Sequence, residues 1–400
     1  MASSESRRDF IKTVGVGAAT LAAAGTTTTG LAQQAQPVQA ATVGNASTQE
    51  RKLSIVNFDL LEEEARKYVA PARFAFTGPC GDGWTFRENR RAFGDFPIMP
   101  RRLQGVSEES INLRTKLLGH DLPFPMFVCP MGGHGMIHES AEAATARGAG
   151  MAGALYVSSG ASNRPMEEIA AATPGPKWFQ IYMNRDMELN RWLVQRAKAA
   201  GFSAIVLTAD ALGPGQADEY VRLGRVRPTG LTQGNHDPKL GGHGNFSDLK
   251  HDLRYSDITF LHEASGLPVV VKGLLRVEDI RESLDAGAEG IWISNHGGRQ
   301  IDGVPASISM LRPAVDAVDG RVPVVFDSGI RRGVDVFKAL AMGATAVGVG
   351  RPVLYGLAAG GAGGVNAVFE HLSGELRSAM LLAGTAKIAD IKREFVALKA

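Results

Sequence analysis

The sequence predicts an α/β fold, a closed parallel (β/α)8 TIM barrel with a helical segment ahead of it and a long lid loop after the fourth strand. Three observations carry this expectation. Short apolar runs at 124–129, 154–157, 178–182, 204–208, 269–271, 290–294, 322–326 and 346–349 alternate with turns and helix-like segments. They are continuous, not alternating polar and apolar, as strands buried on both faces are. Three helix-to-strand joints share one pattern: Ala200-Gly201, Ala286-Gly287 and Met342-Gly343 each close a helix shortly before the next strand. Last, the strand ends are polar: Ser158 and Ser159, Gln180 and Tyr182, Thr208 and Asp210, Lys272, His296 and Arg299, Asp327 and Ser328, Arg351. A barrel kept only for stability needs no such crown at its carboxyl face. An open doubly wound sheet is the alternative, since strand count alone does not prove closure.

The chain divides into a leader and linker over residues 1–49 and a barrel domain over 50–400. Ser6-Arg7-Arg8-Asp9-Phe10-Ile11-Lys12 precedes a mild apolar run and small residues near Val38-Gln39-Ala40. That order of charged, apolar and small residues is an export signal, and the paired arginines resemble a twin-arginine signal. The expected location is therefore the bacterial periplasm. A basic, disordered N-terminus is the plainer alternative. The apolar run is too short to span a bilayer stably, and no later window is expected to do so.

Composition narrows the classes further. Apolar residues at 44% and charged residues at 21% describe an ordinary globular chain. A net charge of +2, with no basic run interleaved with aromatics, argues against nucleic acid as a partner. Cys80 and Cys129 lack metal-ligand spacing and read as unpaired thiols, with a disulfide as the alternative. No metal site is expected.

Residues 57–68 read as a helix capped by Asn57 or Asp59, and 85–92 as another, with a glycine-rich loop at 74–84 between them. The interruption at 211–254 is rich in Gly, Pro, His and Asp, and a loop that long is usually a lid. Its His236, His243 and His251 match no metal spacing and read as solvated.

Chemistry concentrates where the sixth strand breaks into Ser294-Asn295-His296-Gly297-Gly298-Arg299-Gln300. A histidine accepts a proton near neutral pH, and an arginine holds a carboxylate through two parallel hydrogen bonds. A surface loop with a solvated His and Arg is the plain alternative. After the seventh and eighth strands come Asp327-Ser328-Gly329-Ile330-Arg331-Arg332-Gly333 and Gly348-Val349-Gly350-Arg351-Pro352. Glycine amides, a helix start and two arginines at that place suit a phosphate monoester.

Together with Phe179-Gln180-Ile181-Tyr182 and Val269-Val270-Val271-Lys272-Gly273, these segments resemble the FMN-dependent 2-hydroxy-acid oxidase and dehydrogenase family, over roughly residues 51–392. The resemblance implies FMN with its phosphate on Gly329, Arg331, Gly350 and Arg351. It implies flavin and ribityl contacts from Met131, Gly132, Ser158, Gln180, Thr208, Lys272, Ser294 and Asp327. His296 would take the proton of the substrate hydroxyl, with Asp210 orienting it. Tyr182 and Arg299 would hold the substrate, and Lys272 would favour the reduced, anionic flavin. The electron acceptor stays open between oxygen and a quinone or other carrier. Members of the family are often tetramers, so the resemblance also implies a homo-oligomer.

Three positions depart from the family pattern. Phe74 stands where relatives carry a tyrosine that touches the carboxylate, Ala217 where they carry a second arginine, and Gly160 where they carry an aromatic residue. Arg222 and Arg225 in the lid are the candidates to replace the lost cation. The departures leave open a bulkier or less anionic 2-hydroxy substrate, another flavin chemistry such as isomerisation, and a flavin-free binding protein.

Overall fold

A computed structural model describes residues 44–399 except 214, 226 and 242–247. The leader motifs and His243 lie outside the described residues. The barrel strands are β1 (Met126–Val128), β2 (Leu155–Ser159), β3 (Lys177–Ile181), β4 (Ile205–Thr208), β5 (Val269–Leu274), β6 (Gly290–Ile293), β7 (Val324–Phe326) and β8 (Ala346–Val349). Each pairs in parallel with the next, and β8 closes on β1 through Val347 opposite Met126 and Val349 opposite Val128. The barrel is therefore closed, and the open sheet is excluded.

Two apolar layers explain why the strands are apolar on both faces. Inside the barrel, Phe127, Val157, Trp178, Val206, Val270, Trp292 and Val325 pack together. Phe127 meets Trp292 edge-on at 5.0 Å between ring centroids. Residues such as Phe179, Ile205, Ile291 and Phe326 face the surrounding helices. Truncating either buried tryptophan to alanine would cost about 3–5 kcal/mol. A short antiparallel pair, Thr115–Leu117 with His120–Leu122, adds Leu117 and Leu122 to the inner layer. Its three-residue strands gave no sequence signal.

The three predicted helix-ending glycines are in the left-handed region: Gly201 at φ +86°, Gly287 at +93° and Gly343 at +104°. That conformation strains any residue bearing a Cβ and costs glycine nothing. The two early helices are Phe58–Ala65 and Trp84–Arg91. Asn57 caps the first by accepting from the Leu60 amide at 2.8 Å. Asp302, distant in sequence, accepts from the amides of Gly83, Trp84 and Thr85 at the start of the second.

Two expectations need adjustment. Ala46 and Ser47 lie on the leader side of the expected boundary, yet both are buried, and the Ser47 hydroxyl donates to the Ala358 carbonyl at 2.6 Å. The helical stretch Arg351–Ala383 is long and apolar enough to cross a membrane by composition, contrary to expectation. It is interrupted at Gly360 and Gly361, and 89% of its most apolar window is buried against the fold, as a core helix is.

Candidate active site

The turn after β6 folds as it does because three successive residues take positive φ: His296 at +58°, Gly297 at +66° and Gly298 at +70°. For the two glycines this is free; for His296 it is strain that the surroundings must hold. The Ser294 hydroxyl accepts from the His296 amide at 3.0 Å, and the Ser328 hydroxyl from the Gly297 amide at 3.0 Å. Asn295 is exchanged in a reciprocal amide pair with Asn89 at 2.9 and 2.8 Å, which docks the second early helix on the turn. Sequence reasoning missed Asn89, because a contact spanning 206 residues leaves no local spacing.

His296 Nδ1 lies 3.0 Å from Asp210 Oδ1. Burial pushes the histidine pKa down, Asp210 pulls it back and Lys272 opposes that; the net direction is down. Burial disfavours the Asp210 carboxylate, but His296 and Lys272 outweigh it and hold its pKa below the ordinary value. A neutral imidazole beside an ionised carboxylate is a proton acceptor whose charged form is already provided for. Gly273 makes room for it, since a Cβ there would stand 2.5 Å from Asp210 Cγ.

Lys272 Nζ donates to Ser294 Oγ at 3.0 Å and lies 3.6 Å from Asp327 Oδ2, with only 3% of its side chain exposed. Burial works against its charge, yet Asp327 and Asp210 raise its pKa above the ordinary lysine value. Asp327 also accepts from Trp292 Nε1 and from the hydroxyls of Ser294 and Ser328. Tyr182 is pushed up to about 12, chiefly by burial, so its hydroxyl remains a donor.

Arg299 donates to the carbonyls of Phe76 and Gly78, at 2.7 and 2.9 Å, and lies over the Phe76 ring. Arg351 donates to those of Thr77, Gly297 and Gly78. Burial lowers the pKa of Arg299 and Arg331, and brings Arg351 down to about 9 with Arg299 and Arg331 adding repulsion. Converging half-buried guanidinium groups of this kind call for an anion. The glycines beside them keep the backbone bare: a Cβ on Gly329 would meet the Asn89 carbonyl at 2.1 Å.

His296, Arg299, Tyr182, Lys272, Asp327, Met131, Gly132, Gly329, Arg331, Gly350 and Arg351 all line one cavity of about 390 Å³. Asp210 stands behind His296. Ser158, Gln180, Thr208 and Ser294 are buried at the adjacent strand ends. Of these, Ser158 Oγ, Gln180 Nε2 and Thr208 Oγ1 have no hydrogen-bond partner among the described residues. Three stranded polar atoms on neighbouring strands and a cationic corner fit a polar ring system carrying a phosphate. The surface-loop reading of the His-Gly-Gly-Arg turn is excluded.

With that geometry in place, comparison with known proteins is decisive. Residues 65–398 match the FMN-dependent dehydrogenase family. The chain belongs to it. It is 41% identical over 353 residues to an L-lactate oxidase of Lactobacillus jensenii, covering 86% of each chain. To a peroxisomal (S)-2-hydroxyacid oxidase of Arabidopsis thaliana it is 39% identical over 351 residues, covering 86% of this chain and 96% of that one. A crystal structure described as a lactate oxidase of Pediococcus acidilactici superimposes with a TM-score of 0.84 at 40% identity, covering 88% and 98%. A mandelate oxidase with (S)-2-phenylpropionate gives a TM-score of 0.80 at 38% identity, covering 86% and 99%. FMN is thus the cofactor of the family, and the residues present fit it.

Several expectations about the substrate end change. Phe74 is buried and stacked on Tyr355, with centroids 5.7 Å apart, and does not line the cavity. Two residues on, Phe76 does line it. Gly160 is buried against the Gln180 carbonyl, and its neighbour Ala161 lines the cavity instead. Ala217 lines the cavity and bridges Gly81. Arg222 pairs with Glu219, and Arg225 donates to Gln216; both are exposed and neither lines the cavity. Arg227, which sequence reasoning passed over, does line it. In the lid, His236 is half-buried, not solvated, and burial lowers its pKa. Cys80 and Cys129 are both buried and free.

Proposed function

We propose that this chain oxidises a 2-hydroxy acid to the 2-keto acid with FMN, and that the His296–Asp210 pair beside Lys272 and Arg299 in one cavity carries that reading. The relatives named as lactate and 2-hydroxyacid oxidases support it, and they do not favour an isomerase or a flavin-free binder. Gly329, Arg331, Gly350 and Arg351 hold the phosphate. Ser158, Gln180, Thr208 and Lys272 supply polar partners for the ring and ribityl chain, and Met131 and Gly132 border it. FMN, when bound, supplies the acceptor for the hydride leaving the substrate α-carbon.

The chain's own residues do the rest. Arg299 holds the carboxylate and Tyr182 donates to a substrate oxygen. His296 Nε2 takes the hydroxyl proton, so that loss of one proton and one hydride leaves the keto acid. Asp210, bonded to Nδ1, fixes the tautomer that exposes Nε2 as acceptor and stabilises the imidazolium that forms. Lys272 places a fixed positive charge, which favours negative charge developing nearby.

The acceptor and location belong to the same proposal: electrons pass on to oxygen or a redox carrier, and the twin-arginine leader exports the chain to the periplasm. Aerobic incubation with a 2-hydroxy-acid panel, assaying keto acid and peroxide, tests the first. Equal yields identify oxygen as acceptor, keto acid only with an added quinone identifies a carrier, and no keto acid under either condition refutes the reaction. Fractionation of cells expressing the chain and an Arg7→Lys/Arg8→Lys variant tests the second; an unchanged distribution would refute twin-arginine export.

A further inference from the structure

We propose that Arg227, held by Tyr220 on the lid, is the second cation for the substrate carboxylate and sets the preference for acids over their esters. The proposal rests on the 2-hydroxy-acid reading of the site. A carboxylate brought into this cavity loses water, and one guanidinium must replace it. Arg299 has part of its donor set committed, since Nη1 already serves the Phe76 and Gly78 carbonyls. Arg351 is assigned to the FMN phosphate, and three of its five N–H donors already serve the Thr77, Gly297 and Gly78 carbonyls. At position 217 an alanine faces the cavity and contributes no charge.

Arg227 approaches the same cavity from the lid. Burial raises the Tyr220 pKa, and the charge of Arg227 and its hydrogen bond to the Tyr220 hydroxyl work against that rise. The Tyr220 ring meets Phe76 edge-on, with centroids 5.8 Å apart at 74°. Phe76 also meets Arg299, whose guanidinium lies 5.2 Å from the centroid of the same ring. Two guanidinium groups are therefore tied to one aromatic pair, and both line the cavity that His296 and Tyr182 enter. The arm has a built return. The short helix Asp218–Arg222 ends in left-handed Gly224 and Arg225, and the chain then re-enters at Pro228, which is buried, and Leu231, which lines the cavity. Arg227 itself is exposed, so a substitution there leaves the core intact.

The test uses the FMN-loaded full chain. Oxalate, which carries carboxylates but no oxidisable hydrogen, is titrated against the flavin absorbance of wild type, Arg227→Gln, Arg227→Lys and Tyr220→Phe. Steady-state kinetics with lactate, mandelate and the methyl ester of each accompany it. The proposal expects Arg227→Gln to weaken oxalate and raise the acid's KM about tenfold or more. The kcat should stay within about threefold, the ester unaffected, and Arg227→Lys should recover part of the loss. Tyr220→Phe should have a smaller effect in the same direction. Unchanged oxalate affinity, or equal losses for acid and ester, would overturn it. If no hydroxy acid reduces the flavin, the reaction reading fails, while oxalate binding still decides the role of Arg227.

Discussion

His296 Nδ1 and Asp210 Oδ1 stand 3.0 Å apart, with each side chain 15% exposed. Asp210 opposes the downward pull of burial on the histidine, so removing its charge lowers the imidazole pKa further. The base works when neutral, and activity is lost as pH falls through its pKa. Its acid limb in kcat/KM therefore lies below the ordinary histidine value of about 6.5. In Asp210→Asn the limb moves to lower pH while kcat falls about 10²-fold or more, from a weaker and wrongly oriented base. A pH–rate profile of both proteins checks this; a limb moving upward would contradict it.

Gly273 is at φ +104°, and a Cβ there would clash with Asp210. Gly273→Ala should reproduce much of the Asp210→Asn loss in kcat, together with about 1–3 kcal/mol of destabilisation from backbone strain. Kinetics and thermal melting read the two effects separately. Wild-type kcat in the variant would show that Asp210 does not depend on that space.

Lys272 and Asp327 form a buried ion pair bridged by Ser294. Lys272→Met leaves the Asp327 charge with hydroxyl and indole donors but no cation. A stability loss of about 3–5 kcal/mol is expected, together with weaker FMN retention on dialysis. Denaturant melts and flavin-to-protein absorbance ratios measure both. Full retention of FMN would remove Lys272 from the cofactor's surroundings.

Phe74 invites the opposite experiment. Because its ring lies in the core on Tyr355 and outside the cavity, Phe74→Tyr should not restore a carboxylate contact. The KM for lactate should change less than about threefold. A buried hydroxyl without a partner should cost about 1–3 kcal/mol. A large fall in KM would show that position 74 reaches the substrate.

Much of the barrel is legible in sequence because its strands are buried on both faces, and continuous apolar runs record that. The crown of polar residues at the strand ends is legible for the same reason, since a polar residue ending such a run has few other uses. What escaped is what tertiary packing decides. Asn89 pairs with Asn295 across 206 residues, and neither flank hints at the other. Phe74 and Phe76 are two residues apart, and only the turn from the helix Pro71–Phe74 into the 3-10 segment Ala75–Thr77 decides which ring faces the cavity. Arg222, Arg225 and Arg227 are equivalent in composition. The left-handed turn at Gly224 and Arg225 separates them, sending Arg222 and Arg225 outward and Arg227 to the cavity.

The most direct test is an anaerobic absorbance titration of the FMN-loaded chain with glycolate, lactate and mandelate, beside His296→Ala. At least one acid should bleach the flavin band of the wild type and none should bleach that of the variant, though the variant still holds FMN. A yellow wild type that no 2-hydroxy acid bleaches, or a variant bleached at the wild-type rate, would contradict it.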